Sequence, residues 1–238
     1  MLTETLEYAH GETTCEGGVC YDKTATTRRP CVIVLHAWHG AGEHETAKAK
    51  QLAELGYVGF VADVYGKGVR GDPAGDNSAL MGPFMADRAA LRERLLAAVA
   101  AARAHPAVDP ERIAAIGYCF GGLGALDLAR AGAPGVRGVV SFHGLFTPPD
   151  LGPQAPISAK VLVCHGWADP MAKPDAVLAL ATELTEAGAD WQVHAYGHAL
   201  HAFTHEGANA PAQGVAYDPK AARRSWRAAV DLLEEVFA

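Results

Sequence analysis

The sequence predicts an α/β fold: a mostly parallel central sheet with helices packed on both faces. Two observations lead there. Strand-like and helix-like stretches alternate along nearly the whole chain, and most of the strand-like ones are apolar throughout, as strands covered on both faces must be. The scale agrees: in 238 residues, 50% hydrophobic and 20% charged, there is enough apolar material for one sizeable core. No repeat, linker or composition shift divides the chain, so residues 1–238 read as a single domain.

The elements follow in order. Before Pro30, Gly11 and Gly17-Gly18 separate short alternating stretches, which predicts an antiparallel hairpin over about residues 3–22. Cys31 to Ala37 is a β-branched apolar run and reads as a buried strand. Glu43 to Leu55 has helical spacing and stops at Gly56, a residue suited to a C-terminal cap. Tyr57 to Ala62 is a second buried strand. Asp63 to Pro83 is rich in Gly, Asp and Pro and reads as a long loop. Phe84 to Ala104, rich in Ala, Leu and Arg, predicts the longest helix. Strands are predicted over Ile113–Gly117, Val136–Phe142, Lys160–His165 and Trp191–Tyr196, with helices over Gly121–Ala131, Pro174–Ala187 and Pro219–Phe237. A Pro-rich loop spans Gly144 to Pro156. Either long loop is the size of a mobile cover, and neither is long enough for a lid domain.

Charge narrows the function classes. With 20 Lys and Arg against 27 Asp and Glu, a net −7, nucleic acid is not the expected partner. No apolar run approaches the ~20 residues of a membrane helix. Met1 to His10 is acidic and polar, without the basic and apolar regions of a secretion signal, so the expected location is the cytoplasm. Five cysteines, an odd number without repeated spacing, make a poor disulfide framework. Cys15 and Cys20 are placed to approach each other across the hairpin as reduced thiols, and Cys31 and Cys164 read as core filler on buried strands.

The fifth, Cys119, sits differently. An apolar strand runs into Gly117-Tyr118-Cys119-Phe120-Gly121 and a helix follows, the nucleophile-elbow pattern with Cys where Ser is usual. Small residues on either side relieve crowding at a strained turn. The helix N-terminus behind the sulfur favours the thiolate, and the Phe120 amide points to where an oxyanion forms. The bland reading is an inert thiol packed in a Gly-rich turn. Partners in the right chain order weigh against it. The strand at Lys160 leads to Asp169 in Gly166-Trp167-Ala168-Asp169-Pro170, and the strand at Trp191 leads to a loop that offers His198 and His201.

With these motifs in place the chain resembles the dienelactone hydrolase family, the Cys-nucleophile branch of the α/β-hydrolases. The resemblance rests on Gly117–Gly122, on His165–Pro170, on His201-Ala202-Phe203 and on the loop His36-Ala37-Trp38-His39-Gly40, and it runs from about residue 15 to the end. It implies an α/β-hydrolase fold without a lid domain and hydrolysis of a small ester or lactone. It also implies a triad of Cys119, His201 and Asp169, with an oxyanion hole from the amides of Phe120 and Trp38. Two departures stand out. Family members carry a Glu that touches the thiol where this chain has Ala37, and a substrate-holding Arg where it has His205. His39 and Glu43 are candidates for the missing thiol contact. Candidate substrate-binding residues are His36, His39, Tyr118, Trp167, Phe203 and His205. Trp38, Phe120 and Phe142 also fall at strand ends, where they line an aromatic pocket or fill core. Arg70 and Arg88 flank the long loop within reach of an anionic substrate, although the helix bearing Arg88, Arg92, Arg94 and Arg103 reads most simply as a solvated face. Asp63 reads as a turn residue.

Two rival readings remain. Eleven His, clustered at His36/His39/His44 and His194/His198/His201/His205, raise a metal-dependent hydrolase, although no HExxH sequence is present. A non-catalytic scaffold that binds a ligand is the other. The expectation is an enzyme that needs no cofactor or metal, acts on a small molecule and is monomeric by default.

Overall fold

A computed structural model describes all 238 residues. Eight strands form one sheet in the order β1-β2-β4-β3-β5-β6-β7-β8. They are β1 (Leu2–His10), β2 (Thr13–Tyr21), β3 (Arg29–Leu35), β4 (Val58–Ala62), β5 (Val108–Tyr118), β6 (Val136–Phe142), β7 (Lys160–Gly166) and β8 (Trp191–Tyr196). The β1–β2 hairpin and its junction with β4 are antiparallel, and every pairing from β4 to β8 is parallel. The helices are α1 (Glu43–Glu54), α2 (Ser78–Ala86), α3 (Arg88–Ala104), α4 (Phe120–Arg130), α5 (Pro174–Glu186) and α6 (Pro219–Phe237). No lid rises above the sheet. No helix is long and apolar enough to cross a membrane.

The apolar strands are explained by burial on both sides. In β3, Cys31, Ile33 and Leu35 enter the core shared with α3 and α4, while Val32 and Val34 enter the core shared with α1 and α6. In β7, Val161 and Val163 face one way and Leu162 and Cys164 the other. This period-2 alternation with no polar face is the expected signature of a parallel sheet between helical layers.

Three elements depart from expectation. The predicted helix Phe84–Ala104 is two helices, because Asp87 leaves helical geometry (φ −122°, ψ 86°) and its carboxylate caps α3 by accepting from the Ala90 N–H at 2.9 Å. The predicted loop Asp63–Pro83 gives way to α2 at Ser78, after a turn that buried Asn77 ties down through its amide to the carbonyls of Asp72 and Gly75. Cys15 and Cys20 lie on the same strand, opposite Tyr8 and Thr3, so the hairpin cannot bring them together. Asp63 is a turn residue, fully buried, with its carboxylate accepting from the amides of Glu16, Tyr65 and Gly66.

Of the four α3 arginines expected on a solvated face, Arg88 and Arg94 are buried, while Arg92 and Arg103 are half-buried. Arg88 is buried and makes a bidentate pair with Asp127, with Nη2 2.7 Å from Oδ1 and Nε 3.0 Å from Oδ2. Arg130 joins the same carboxylate and also Glu183, and Arg88 donates to the Thr147 carbonyl, so one ionic network ties α3, α4 and α5 to the Pro-rich loop. Arg94 is buried too and donates to the Val64 carbonyl at 2.8 Å.

Candidate active site

The C-terminal ends of the parallel strands are where an open α/β sheet places its ligands. Here β5 ends at Tyr118 and α4 begins at Phe120, which leaves Cys119 alone on the turn at φ 55°, ψ −113°. A non-glycine residue there is strained, and the surroundings hold it. Its N–H donates to the Phe142 carbonyl at 3.0 Å. Packing dictates the flanking glycines. A Cβ on Gly117 would stand 1.9 Å from the Gly121 carbonyl oxygen, and one on Gly121 would stand 2.2 Å from that of Leu35. Cys119 is the one cysteine of the five that is not buried.

Asp169 follows β7 and is buried at 2% exposure. Its Oδ1 accepts from the Met171 N–H at 2.8 Å and its Oδ2 accepts from His201 Nδ1 at 2.7 Å. His201 follows β8. It is held through its backbone, donating to Gly214 and accepting from the Ala216 N–H. Both partners belong to a segment the sequence reading missed: β9 (Asn209–Ala210) pairs with β10 (Val215–Ala216) around one turn of 3₁₀ helix. Two-residue strands are too short to leave a periodic signal.

The far side of the His201 ring faces Cys119. Nε2 is buried and has no well-formed hydrogen-bond partner. Burial works against the charged imidazole. Asp169 on Nδ1 and the sulfur of Cys119 outweigh it and push the His201 pKa up to about 10. So Cys119, His201 and Asp169 are brought together in the order sulfur, imidazole, carboxylate. His198 is exposed and takes no part. The amides of Trp38 and Phe120 are both free to receive an oxyanion. The Trp38 N–H donates to no protein acceptor, and the Phe120 N–H, first in α4, lies where a helix leaves its amides unpaired. The Trp38 carbonyl is pinned by the Tyr65 hydroxyl at 2.8 Å.

Cys119 and His201 open into a cavity of about 680 Å³. Of the six candidate substrate-binding residues, His39, Tyr118 and His205 line it. The other three do not. His36 is fully buried behind the wall, where Nδ1–H donates to the Ala37 carbonyl and Nε2 accepts from the Val64 N–H, a structural tie between two loops. Burial holds its pKa down near 4. Trp167 turns out to solvent, since it is its neighbour Asp169 that turns inward. Phe203 is core, wedged against Tyr196 and His143. Among the other strand-end aromatics Trp38 lines the cavity, while Phe120 and Phe142 are buried in the core. Neither arginine reaches the cavity: Arg88 is consumed by Asp127, and Arg70 lies against the Asp63 turn.

The sequence reading passed over Glu45. It is almost fully buried in the first turn of α1 and lines the cavity, while its carboxylate accepts the Gly42 N–H at 2.9 Å. Glu43, the candidate named for that role, does not line it. The capping spacing Gly42-x-x-Glu45 was the available signal. His143 was also missed. It sits at φ 38° after β6, its Nε2 paired with Thr204 Oγ1 at 2.7 Å and its ring 5.2 Å from that of His201. No group of three or more His, Cys, Asp or Glu side chains is arranged to hold a metal ion. The spacing in His198–His205 falls on a loop rather than on a helix. A second hollow of about 600 Å³ lies at the Pro-rich loop, but its Asp127, Arg130 and Glu183 are already paired with one another and it contains no nucleophile.

The model of the dienelactone hydrolase family matches residues 17–237. The chain belongs to the dienelactone hydrolase family. Similar solved structures include a dienelactone hydrolase-like promiscuous phosphotriesterase from metagenomic libraries. It is 37% identical, with a TM-score of 0.92 over 100% of this chain and 99% of that one. A dienelactone hydrolase of Klebsiella pneumoniae, so described by similarity, shares the fold at 21% identity, TM-score 0.80, over 98% of both chains. Among sequence relatives, a protein of Bradyrhizobium sp described as a probable 2-oxo-3-(5-oxofuran-2-ylidene)propanoate lactonase is 28% identical over 95% of this chain and 93% of its own. An uncharacterized protein of Caenorhabditis elegans is 39% identical over 62% of this chain and 95% of its own. The α/β-hydrolase fold and hydrolase chemistry of this dienelactone hydrolase relative follow.

Proposed function

We propose that this protein hydrolyses small esters or lactones through an acyl-cysteine intermediate, with Cys119 as nucleophile, His201 as proton carrier and Asp169 as its anchor. The observation that carries the reading is the buried His201 ring, bound on Nδ1 by Asp169 at 2.7 Å and unpartnered on Nε2 beside the Cys119 sulfur. A histidine that keeps its proton to about pH 10 next to a sulfur suits a thiolate–imidazolium pair.

The steps follow from that pair. The sulfur adds to the acyl carbon, and the carbonyl oxygen becomes an oxyanion held by the amides of Trp38 and Phe120. The C–O bond to the alcohol breaks as Nε2–H gives its proton to the leaving oxygen. Neutral Nε2 then takes a proton from water, the hydroxide adds to the thioester, and the C–S bond breaks to release the acid. The proton on His201 and the thiolate are both restored. In a lactone the alcohol and acid stay in one product. Asp169 keeps Nδ1 protonated throughout, so Nε2 is always the exchanging nitrogen. With Ala37 leaving no carboxylate at that position, activation rests on His201 and the N-terminus of α4.

The test is wild type against Cys119→Ala on p-nitrophenyl acetate and a panel of simple lactones. Activity should fall to background in the variant, and intact-mass analysis of quenched wild type should show one added acyl group. Full esterase activity in Cys119→Ala would defeat the assignment. The relative at 37% identity is described as a promiscuous phosphotriesterase, which favours one further substrate class, since the same sulfur can add to phosphorus. Release of p-nitrophenol from a diethyl aryl phosphate, dependent on Cys119, tests that.

A further inference from the structure

Charge around the cavity is unevenly distributed. Among its 25 lining residues there is no lysine and no arginine, but there are two carboxylates, Glu45 and Asp76. Glu45 is the more telling. It is 1% exposed and faces a space shared with the reacting sulfur; burial pushes its carboxyl above the usual range, opposed by the amides of Gly42 and Ala37 that bond the charged form. The wall histidines do not supply the missing positive charge. Burial holds His44 down near 3 and lowers His39 and His143, so these rings are neutral hydrogen-bonding groups at working pH. The His201 imidazolium is already matched by Asp169 and the sulfur.

The same wall holds neutral polar atoms with nothing to bind. His44 Nε2 and the Tyr118 hydroxyl are buried without hydrogen-bond partners, and their rings meet edge to face at 4.7 Å. His205 lies against His44 at 5.4 Å and His39 follows at 6.4 Å. Both atoms are closed off from the cavity, so the wall presents ring edges rather than a fixed cation. An uncharged substrate suits such a wall. A carboxylate would be stripped of water beside Glu45 with no cation to meet it.

We propose that the cavity selects uncharged esters and lactones and discriminates against substrates bearing a carboxylate. This rests on the hydrolase reading above and names its substrate class. It sets the chain apart from the relative whose described substrate is a propanoate.

The test compares kcat/KM at pH 8 for para-acetoxybenzoate and its methyl ester, each divided by its spontaneous hydrolysis rate. The pair differs by one charge at nearly constant shape. Repulsion and unrepaid desolvation in a half-buried site should favour the methyl ester on the order of tenfold to hundredfold. His205→Arg places a cation in the cavity and should move the ratio toward the carboxylate by about tenfold. Equal rates for the pair, or a preference for the carboxylate, overturn the inference and leave the hydrolase reading standing. So does a ratio unmoved by His205→Arg. If neither ester is cleaved, the hydrolase reading itself fails and takes this inference with it.

Discussion

Replacing Asp169 by Asn probes the site at the point where its electrostatics and geometry meet. Asn is nearly the same shape, so the backbone ties of the Asp169 turn should survive. What changes is the charge 2.7 Å from His201 Nδ1. The rise of His201 from its ordinary 6.5 to about 10 corresponds to ~5 kcal/mol in favour of the imidazolium. Asp169 shares that with the Cys119 sulfur. Half of it is ~2.5 kcal/mol, roughly a hundredfold in the imidazolium-to-imidazole ratio, which moves the alkaline limb down by about two pH units and leaves most rings protonated at neutrality. Near neutrality the loss comes from the freed tautomer, and kcat/KM on p-nitrophenyl acetate should fall there by about 10²–10³. The pH profile is the sharper readout. Wild type should keep its activity until His201 loses its proton near pH 10, and the variant should lose that alkaline limb to lower pH. Stability carries the same signature. A raised histidine pKa contributes stability that is complete below about 6.5 and is lost as pH climbs to about 10, so wild-type unfolding free energy should decline across that window and the variant's should decline less. A variant within threefold of wild type, with its alkaline limb unmoved, would refute the role given to Asp169.

Two further substitutions test the scaffold. Gly117→Ala drives a methyl group into the Gly121 carbonyl, backbone against backbone, and should cost more than about 3 kcal/mol, whereas Gly18→Ala, with open space around it, should be neutral or gain ~0.5–1 kcal/mol. Thermal melts of the pair decide this, and equal Tm values would contradict the packing argument. Arg88→Ala leaves Asp127 buried with only Arg130. It should cost about 2–3 kcal/mol, or roughly 5–10 °C in Tm, with kcat/KM within about twofold when assayed well below the melt. A Tm within 1–2 °C of wild type would mean that the buried pair contributes little.

Much of the fold was legible because period and burial are linked. A stretch of strand covered on both sides must be apolar, and Cys31–Leu35 of β3, Val58–Ala62 of β4 and Val161–Cys164 of β7 are. The elbow was legible for a related reason: only Gly fits at 117 and 121, and only a strained turn needs that pattern. The sequence was less clear where a single residue decides between continuing and stopping. Asp87 ends one helix and caps the next inside a run that is uniformly good helix former. Loop side chains were the least legible. His36 and Phe203 look like pocket residues by position, yet one ties Ala37 to Val64 and the other fills the core, while Glu45 reached the cavity from a helix on which Glu43 was the residue singled out. Which loop residue turns inward depends on neighbours distant in sequence, and no local pattern records it.

The small β9–β10 segment has a consequence for the timing of order. It clamps His201 from both backbone sides, and its Gly214 packs so tightly on Pro170, the neighbour of Asp169, that a Cβ would lie 2.2 Å from the proline ring. Asp169 and His201 are therefore aligned by folding itself, before any substrate arrives. A site that closes by lid must lose chain entropy in every turnover. This one loses it once per molecule, and a change of length between residues 209 and 216 should disarm the protein without unfolding it.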